Sequence, residues 1–153
     1  VDRCFAKALV LVAFALASGG CAPSGLRSSE PWPAVDGGGN LRAYFAEVKR
    51  LNKRGAGKRI DGACVSACTA FLGVNNVCVT PAARLWFHAA SLSGAAPDAL
   101  GSLEMLSYYP PRVRAWAIRT RALESVTFGE TKVLTGEQLV LMGVAACHDD
   151  GAS

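Results

Sequence analysis

The stretch GACVSACTAF, residues 62–71, sets Ser66 between Cys64 and Cys68 and leads into an apolar run. A serine becomes a nucleophile when a base lies within hydrogen-bond reach, backbone N–H groups face the developing oxyanion, and the hydroxyl is exposed and fixed. Residue types for each requirement are present. Ser66 falls at the expected junction of a strand and a helix, where the N–H of Ala67 has no partner within the helix and is free to donate. His88, one of two histidines in the chain, ends the strand-like stretch RLWFH and is the candidate base. The competing reading of His88 is a core histidine bonded to a backbone group. Gly37, Gly38 and Gly39, directly before an amphipathic stretch, allow backbone to approach a substrate carbonyl with no side chain in the way. A glycine run also serves as a plain turn.

Cys64, Cys68, Cys78 and Cys147 allow three disulfide pairings. The expectation is that one of Cys64 or Cys68 bonds Cys78 and the other bonds Cys147, which would pin the serine turn to the next strand and to the C-terminus. A metal site built from these four cysteines or His148 competes with that reading. The CxxC and HxxxH spacings of such sites are missing, so neither a metal nor a cofactor is expected.

These groups need a scaffold, and 153 residues suffice for one domain with a sizeable core. Hydrophobic residues at 51% against 18% charged exclude a disordered chain. The first residues stand apart. VDRCFAKALVLVAFALASGG has Arg3 and Lys7, then an uncharged stretch from Ala8 to Ala17, then small residues, which is the pattern of an export signal over 1–20. The stretch is too short to span a bilayer, and it lacks the polar face of a core helix. Cleavage could follow Ala17 or precede Cys21. SGGCAPSG resembles a bacterial lipoprotein signal, which would make Cys21 the lipidated residue. Loss of Cys4 with the signal and lipidation of Cys21 would leave four cysteines for two disulfides in an oxidising periplasm. Val1, read as a GTG start, points to a bacterial gene. The membrane is then met only through the signal or the lipid anchor.

The net charge of +4 comes mainly from KRLNKRGAGKR, with Lys49, Arg50, Lys53, Arg54, Lys58 and Arg59. It reads as the solvated face and C-terminal end of a helix. Without interleaved aromatics, nucleic acid is not an expected partner.

Residues 21–35 are rich in Pro, Ser and Gly and read as a linker; a single domain occupies 36–153. Leu41, Tyr44, Phe45, Val48 and Leu51 recur at helical spacing after Asn40, a candidate N-cap, and predict a helix over 41–54. A strand over 59–62 should run into the serine motif and a helix over 66–73. Strands are expected over 77–80 and 84–88, and a small-residue loop over 91–98. Helices over 99–108 and 111–124 are divided by Pro110 and Pro111. A helix over 136–142 and a strand at VAAC close the domain. Such alternation argues for a layered α/β fold with a partly parallel sheet.

The order of the pieces carries more than any one of them. Gly-Gly before a helix, then G-x-C-x-S-A-C-T, V-x-P-x-A-x-L-x-x-H and L-T-G-E-Q-L-x-x-x-G-V resembles the Clp protease proteolytic subunit and the crotonase-like superfamily. It is similar above all to the exported Clp-like proteins of proteobacteria, over residues 36–147. The resemblance implies a ClpP/crotonase-like layered α/β fold, here shortened at the N-terminus. It implies Ser66 as nucleophile and His88, on the following strand, as general base. Gly38 or Gly39 and the N–H of Ala67 would be the oxyanion donors. The implied reaction is acyl transfer by a serine hydrolase of peptidase or amidase type. Glu130 stands near the place of the family's acid, with Glu124, Asp149 and Asp150 as rivals. Two other functions fit the same residues: a catalytically degenerate binding module for a peptide or envelope component, and a disulfide-braced envelope protein whose Ser66 caps a helix. No segment is assigned to an oligomer interface.

Overall fold

The structure is a computed structural model that describes residues 35–129 and 132–148. The export signal, Cys21, nearly all of the linker, Glu130, Asp149 and Asp150 lie outside the described residues. Helix α1, Leu41–Arg54, forms where the apolar spacing predicts it. Asn40 accepts from the N–H groups of Arg42 and Ala43, Gly55 ends the helix, and Phe45, Val48 and Leu51 are buried.

Strand β1, Val35–Asp36, is the first element of the described residues and lies partly inside the stretch expected to be linker. After α1 follow β2 (Gly57–Ile60), β3 (Ala63–Val65), a 3-10 helix (Ser66–Gly73), β4 (Asn76–Val79) and β5 (Arg84–Trp86). Helices α2 (Ala99–Ser107) and α3 (Pro111–Arg119), strand β6 (Val133–Thr135), helix α4 (Gly136–Leu141) and strand β7 (Ala145–Ala146) complete the described chain. The strands form two sheets, ordered β1-β3-β5-β6 and β2-β4-β7. All pairs are parallel except β5 with β6. The fold is therefore mixed α/β, with the parallel pairing expected of it.

Several expectations need correction. The segment over 59–62 is not one strand running into the serine. β2 stops at Ile60 and pairs with β4, whereas β3 starts at Ala63 and pairs in the other sheet. The helix after Ser66 is 3-10 rather than α, and a run of eight is long for that geometry. Its residues from Ala67 to Leu72 are all buried, so packing on every side substitutes for helix propensity. Helix α3 ends at Arg119 instead of 124, and Arg121 turns the chain with φ 56°.

The disulfides are Cys64–Cys68 and Cys78–Cys147. The expected cross-pairing fails because β7 lies beside β4: Cys78 is in register with Ala145, Cys147 follows directly after β7, and the Cα atoms of the bonded pair are 4.9 Å apart. All four sulfurs are consumed, so the alternative metal set does not form.

The L-T-G-E-Q element has a local cause. Thr135 and Gln138 form a capping box at the start of α4. A Cβ on Gly136 would stand 1.9 Å from the Thr80 carbonyl, so glycine lets this helix start abut the β4–β5 turn. The core gathers Leu85, Phe87, Tyr109, Val113 and Trp116. Phe87 meets Tyr109 and Trp116 edge to face, at 5.4 and 5.1 Å between ring centroids. It is fully buried, and it fixes the strand end from which His88 projects.

Strand order then places the site. β1, β3 and β5 are neighbours and run parallel; Gly37 follows β1, Ser66 follows β3 and His88 lies just beyond β5. Adjacent strands are about 4.8 Å apart, so the glycines, the serine and the histidine form a row at the carboxyl ends of three strands, where open α/β sheets form their crevices.

Candidate active site

Ser66 opens the 3-10 helix with φ 59°, in the left-handed region. A non-glycine residue held there costs on the order of 1–3 kcal/mol and persists when its surroundings over-determine it. Three features do so. The Cys64–Cys68 disulfide brackets the residue and holds the flanking Cα atoms 5.4 Å apart. The Thr69 hydroxyl donates to the Ser66 carbonyl at 2.7 Å. With its one proton spent there, Thr69 accepts from the Tyr109 hydroxyl, also at 2.7 Å. Thr69 and Tyr109 are both buried, and burial pushes the Tyr109 phenol well up, so it stays a donor. The third feature is Gly38. A Cβ there would stand 2.4 Å from the Val65 carbonyl, 2.9 Å from Ser66 Cβ and 3.0 Å from the Ala67 nitrogen, so only glycine allows this contact with the serine turn.

Close approach and donation fall to different glycines. The Gly38 N–H donates to Asp36 Oδ1 at 3.0 Å, so Gly38 is not an available oxyanion donor. Gly39 lines the cavity beside Ser66 and Ala67, and its N–H has no protein partner among the described residues. The Ala67 N–H, in the first turn of the 3-10 helix, lacks an intrahelical partner, and no side chain caps that end. Asp36 Oδ1 also accepts from the Tyr44 hydroxyl. Burial, then this hydrogen bond and the Asp36 charge, push the Tyr44 phenol up to about 12. Sequence reasoning passed over Asp36, although Asp followed by glycine is the signature of a side chain bonded to backbone two residues on.

His88 is half-buried. Its Nδ1 lies 2.8 Å from the Ala89 carbonyl. A carbonyl only accepts, so Nδ1 carries the proton and Nε2 keeps a lone pair. The two competing readings of His88 thus coincide: the ring is bonded to backbone and retains a basic nitrogen. Burial lowers its pKa below the ordinary imidazole range; the Lys132 charge acts in the same direction and the Ala89 hydrogen bond against both. Phe128 packs edge to face on the ring at 4.5 Å. The flanking backbone is tied on both sides, by Phe87 N to Lys132 O and Ala89 N to Ser125 O, each at 2.9 Å. Ala90 is tied to the start of α2: its carbonyl accepts from Asp98 N at 2.7 Å, and its N–H donates to Ser102 Oγ at 3.0 Å.

Ser66 and His88 line one cavity of about 830 Å³ together with Gly39, Ala67, Phe45 and Met105. No hydrogen bond joins Ser66 Oγ to the His88 ring among the described residues. Among the described residues no carboxylate bonds the His88 ring; the Ala89 carbonyl accepts from its Nδ1. Of the rivals to Glu130, Glu124 is exposed and bonded to Arg121 at 2.6 Å. Catalytic hydrogen bonds are often long without substrate and tighten when it binds. The arrangement can thus offer a fixed hydroxyl, a neutral imidazole nitrogen and two backbone donors to one bound carbonyl. Among the described residues no helix is long and apolar enough to cross a membrane. The chain matches no family model, no curated protein and no solved structure, so the case for this site rests on the geometry of its own residues.

Proposed function

We propose that the chain is an exported serine hydrolase of ClpP/crotonase-like type, acting on peptide or amide bonds. The observation that carries this reading is Ser66: a strained, braced, left-handed serine at a strand-to-helix turn, on the wall of a cavity it shares with His88 and Gly39. Ser66 Oγ attacks the substrate carbonyl carbon while its proton passes to His88 Nε2. The N–H groups of Gly39 and Ala67 receive the oxyanion. Collapse of the tetrahedral species breaks the bond to the leaving amine, which takes the proton from His88, and leaves an acyl ester on Ser66. Water, deprotonated by the same nitrogen, then releases the acid and restores the hydroxyl. Two disulfides support an oxidising compartment such as the bacterial periplasm.

Turnover of a set of peptide thioesters and anilides by the disulfide-intact protein tests the proposal: hydrolysis that vanishes in Ser66→Ala supports it, and equal rates in the two proteins refute it. A second reading, a catalytically degenerate binding protein of the envelope, is favoured by the missing Ser66–His88 hydrogen bond. Under that reading the same peptides bind without being cleaved.

A further inference from the structure

Within the three successive glycines of VDGGGN, Gly38 has its N–H bonded whereas Gly39 presents a free N–H on the cavity wall, and the difference between these two has a visible cause. Asp36 is the last residue of β1 and is in register with Cys64 of β3, so its backbone is fixed by the sheet next to the disulfide that brackets Ser66. Its Oδ1 accepts two protons, from Gly38 N–H and from the Tyr44 hydroxyl on α1. The first bond holds Gly38 at φ 77°, with its α-carbon against Val65, Ser66 and Ala67. With Gly38 so placed, Gly39 falls at φ 138° on the cavity wall. The second bond ties the same oxygen to α1, one turn beyond Asn40. Tyr44 in turn packs edge to face on Phe71 of the 3-10 helix, at 5.3 Å between centroids. The loop is thereby clamped from β1, from α1 and, through Phe71, from the helix that carries Ser66.

We propose that Asp36, locked by Tyr44, is a positioning residue that sets the glycine loop so that Gly39, and not Gly38, supplies the oxyanion donor opposite Ala67. This rests on the hydrolase reading for its function but not for its geometry. Without the Asp36 acceptor, Gly38 N–H is released, and a glycine-rich segment regains the freedom that the clamp removes. A donor displaced by about 1 Å, or lost, lowers the rate by about 10²-fold. The effect should fall on kcat rather than KM, because the donor acts on the oxyanion and Asp36 is not among the residues lining the cavity.

The test has a catalytic and a structural arm. In the first, Asp36→Ala lowers kcat and the rate of Ser66 acylation by about 10²-fold with KM little changed. Asp36→Asn keeps an oxygen acceptor in the same place and restores most of the rate, and Tyr44→Phe gives an intermediate loss. A merely structural role would give loss of melting temperature without this split and without rescue by Asn. Wild-type rates in Asp36→Ala overturn the proposal. In the second arm, amide hydrogen exchange of the unmodified protein shows Gly38 protected and Gly39 fast; the reverse order overturns the proposal even if Asp36→Ala does not fold. Should the wild-type protein acylate with no substrate at all, the hydrolase reading fails, and the exchange pattern alone decides whether Asp36 sets the loop.

Discussion

The two walls of the candidate site are held very differently. On the serine wall, covalent, polar and steric constraints converge on one residue: the Cys64–Cys68 bond, the Tyr109–Thr69–Ser66 chain and the Gly38 contact. On the histidine wall the ring hangs from one backbone carbonyl and leans on Phe128, which is itself 58% exposed, beside a loop whose Leu92 is 93% exposed. On the proposed hydrolase reading, a rigid nucleophile and an adjustable base would make a site that is preorganised for the oxyanion and closes its proton-transfer contact around a substrate. The contrast also explains why Ser66 and His88 face the same cavity without bonding each other. The serine turn is braced by several buried groups, whereas the His88 ring, though its backbone is tied, is held by one carbonyl and an exposed aromatic.

The comparison breaks most sharply if the base is removed. His88→Ala should lower kcat/KM by about 10³-fold, within the range of general-base losses, with little change in stability, since the ring is only half-buried; steady-state kinetics beside a melting curve check both.

The two disulfides give the next largest effect, in opposite senses. The chain-entropy relation assigns about 2 kcal/mol to closing the four-residue separation of Cys64–Cys68 and about 4 kcal/mol to the 69-residue separation of Cys78–Cys147. Replacing Cys78 and Cys147 with alanine should therefore cost more stability and leave the rate nearly intact. Replacing Cys64 and Cys68 should cost less stability and about 10²-fold in rate, because it frees the serine turn. Denaturation and kinetics on both double variants show whether stability and activity separate in this way.

Much of the scaffold was legible in the sequence, for physical reasons that differ by element. Helix α1 was readable to the residue because its apolar spacing, Asn40 cap and Gly55 stop all agree. The α4 start was readable from its T-G-E-Q signature. Ser66, His88 and Ala67 are singled out by type and order, and the structure sets them along one cavity. Strands β1 and β6 were not legible, being two and three residues long and formed by pairing partners remote in the chain. The disulfide pairing was missed for the same reason: it depends on β4 lying beside β7. The division of labour between Gly38 and Gly39 depends on one Asp36 hydrogen bond, which composition does not show.

Smaller changes refine the comparison. Thr69→Val removes the hydroxyl between Tyr109 and the Ser66 carbonyl, leaves a buried phenol without its acceptor, and should cost about 1–3 kcal/mol and roughly tenfold in acylation rate; urea denaturation and probe kinetics measure the two. On the other wall the effect is on pH dependence. As the proposed base, His88 would have to be neutral, and its pKa is lowered chiefly by burial. The acid limb of kcat/KM should therefore lie below the ordinary imidazole value of about 6.5, with activity lost as pH falls through the lowered pKa. Phe128→Ala exposes the ring and should move that limb back up; a limb unmoved by the substitution would locate the cause elsewhere.

Whether Ser66 is a nucleophile activated by His88 can be read by peptide mapping with mass spectrometry after treatment of the disulfide-intact protein with a fluorophosphonate. One adduct is expected, on Ser66, formed at a rate that follows the neutral form of His88 and falls sharply in His88→Ala. A folded protein with both disulfides intact that carries no adduct on Ser66, or carries it at the same rate without His88, would contradict this expectation.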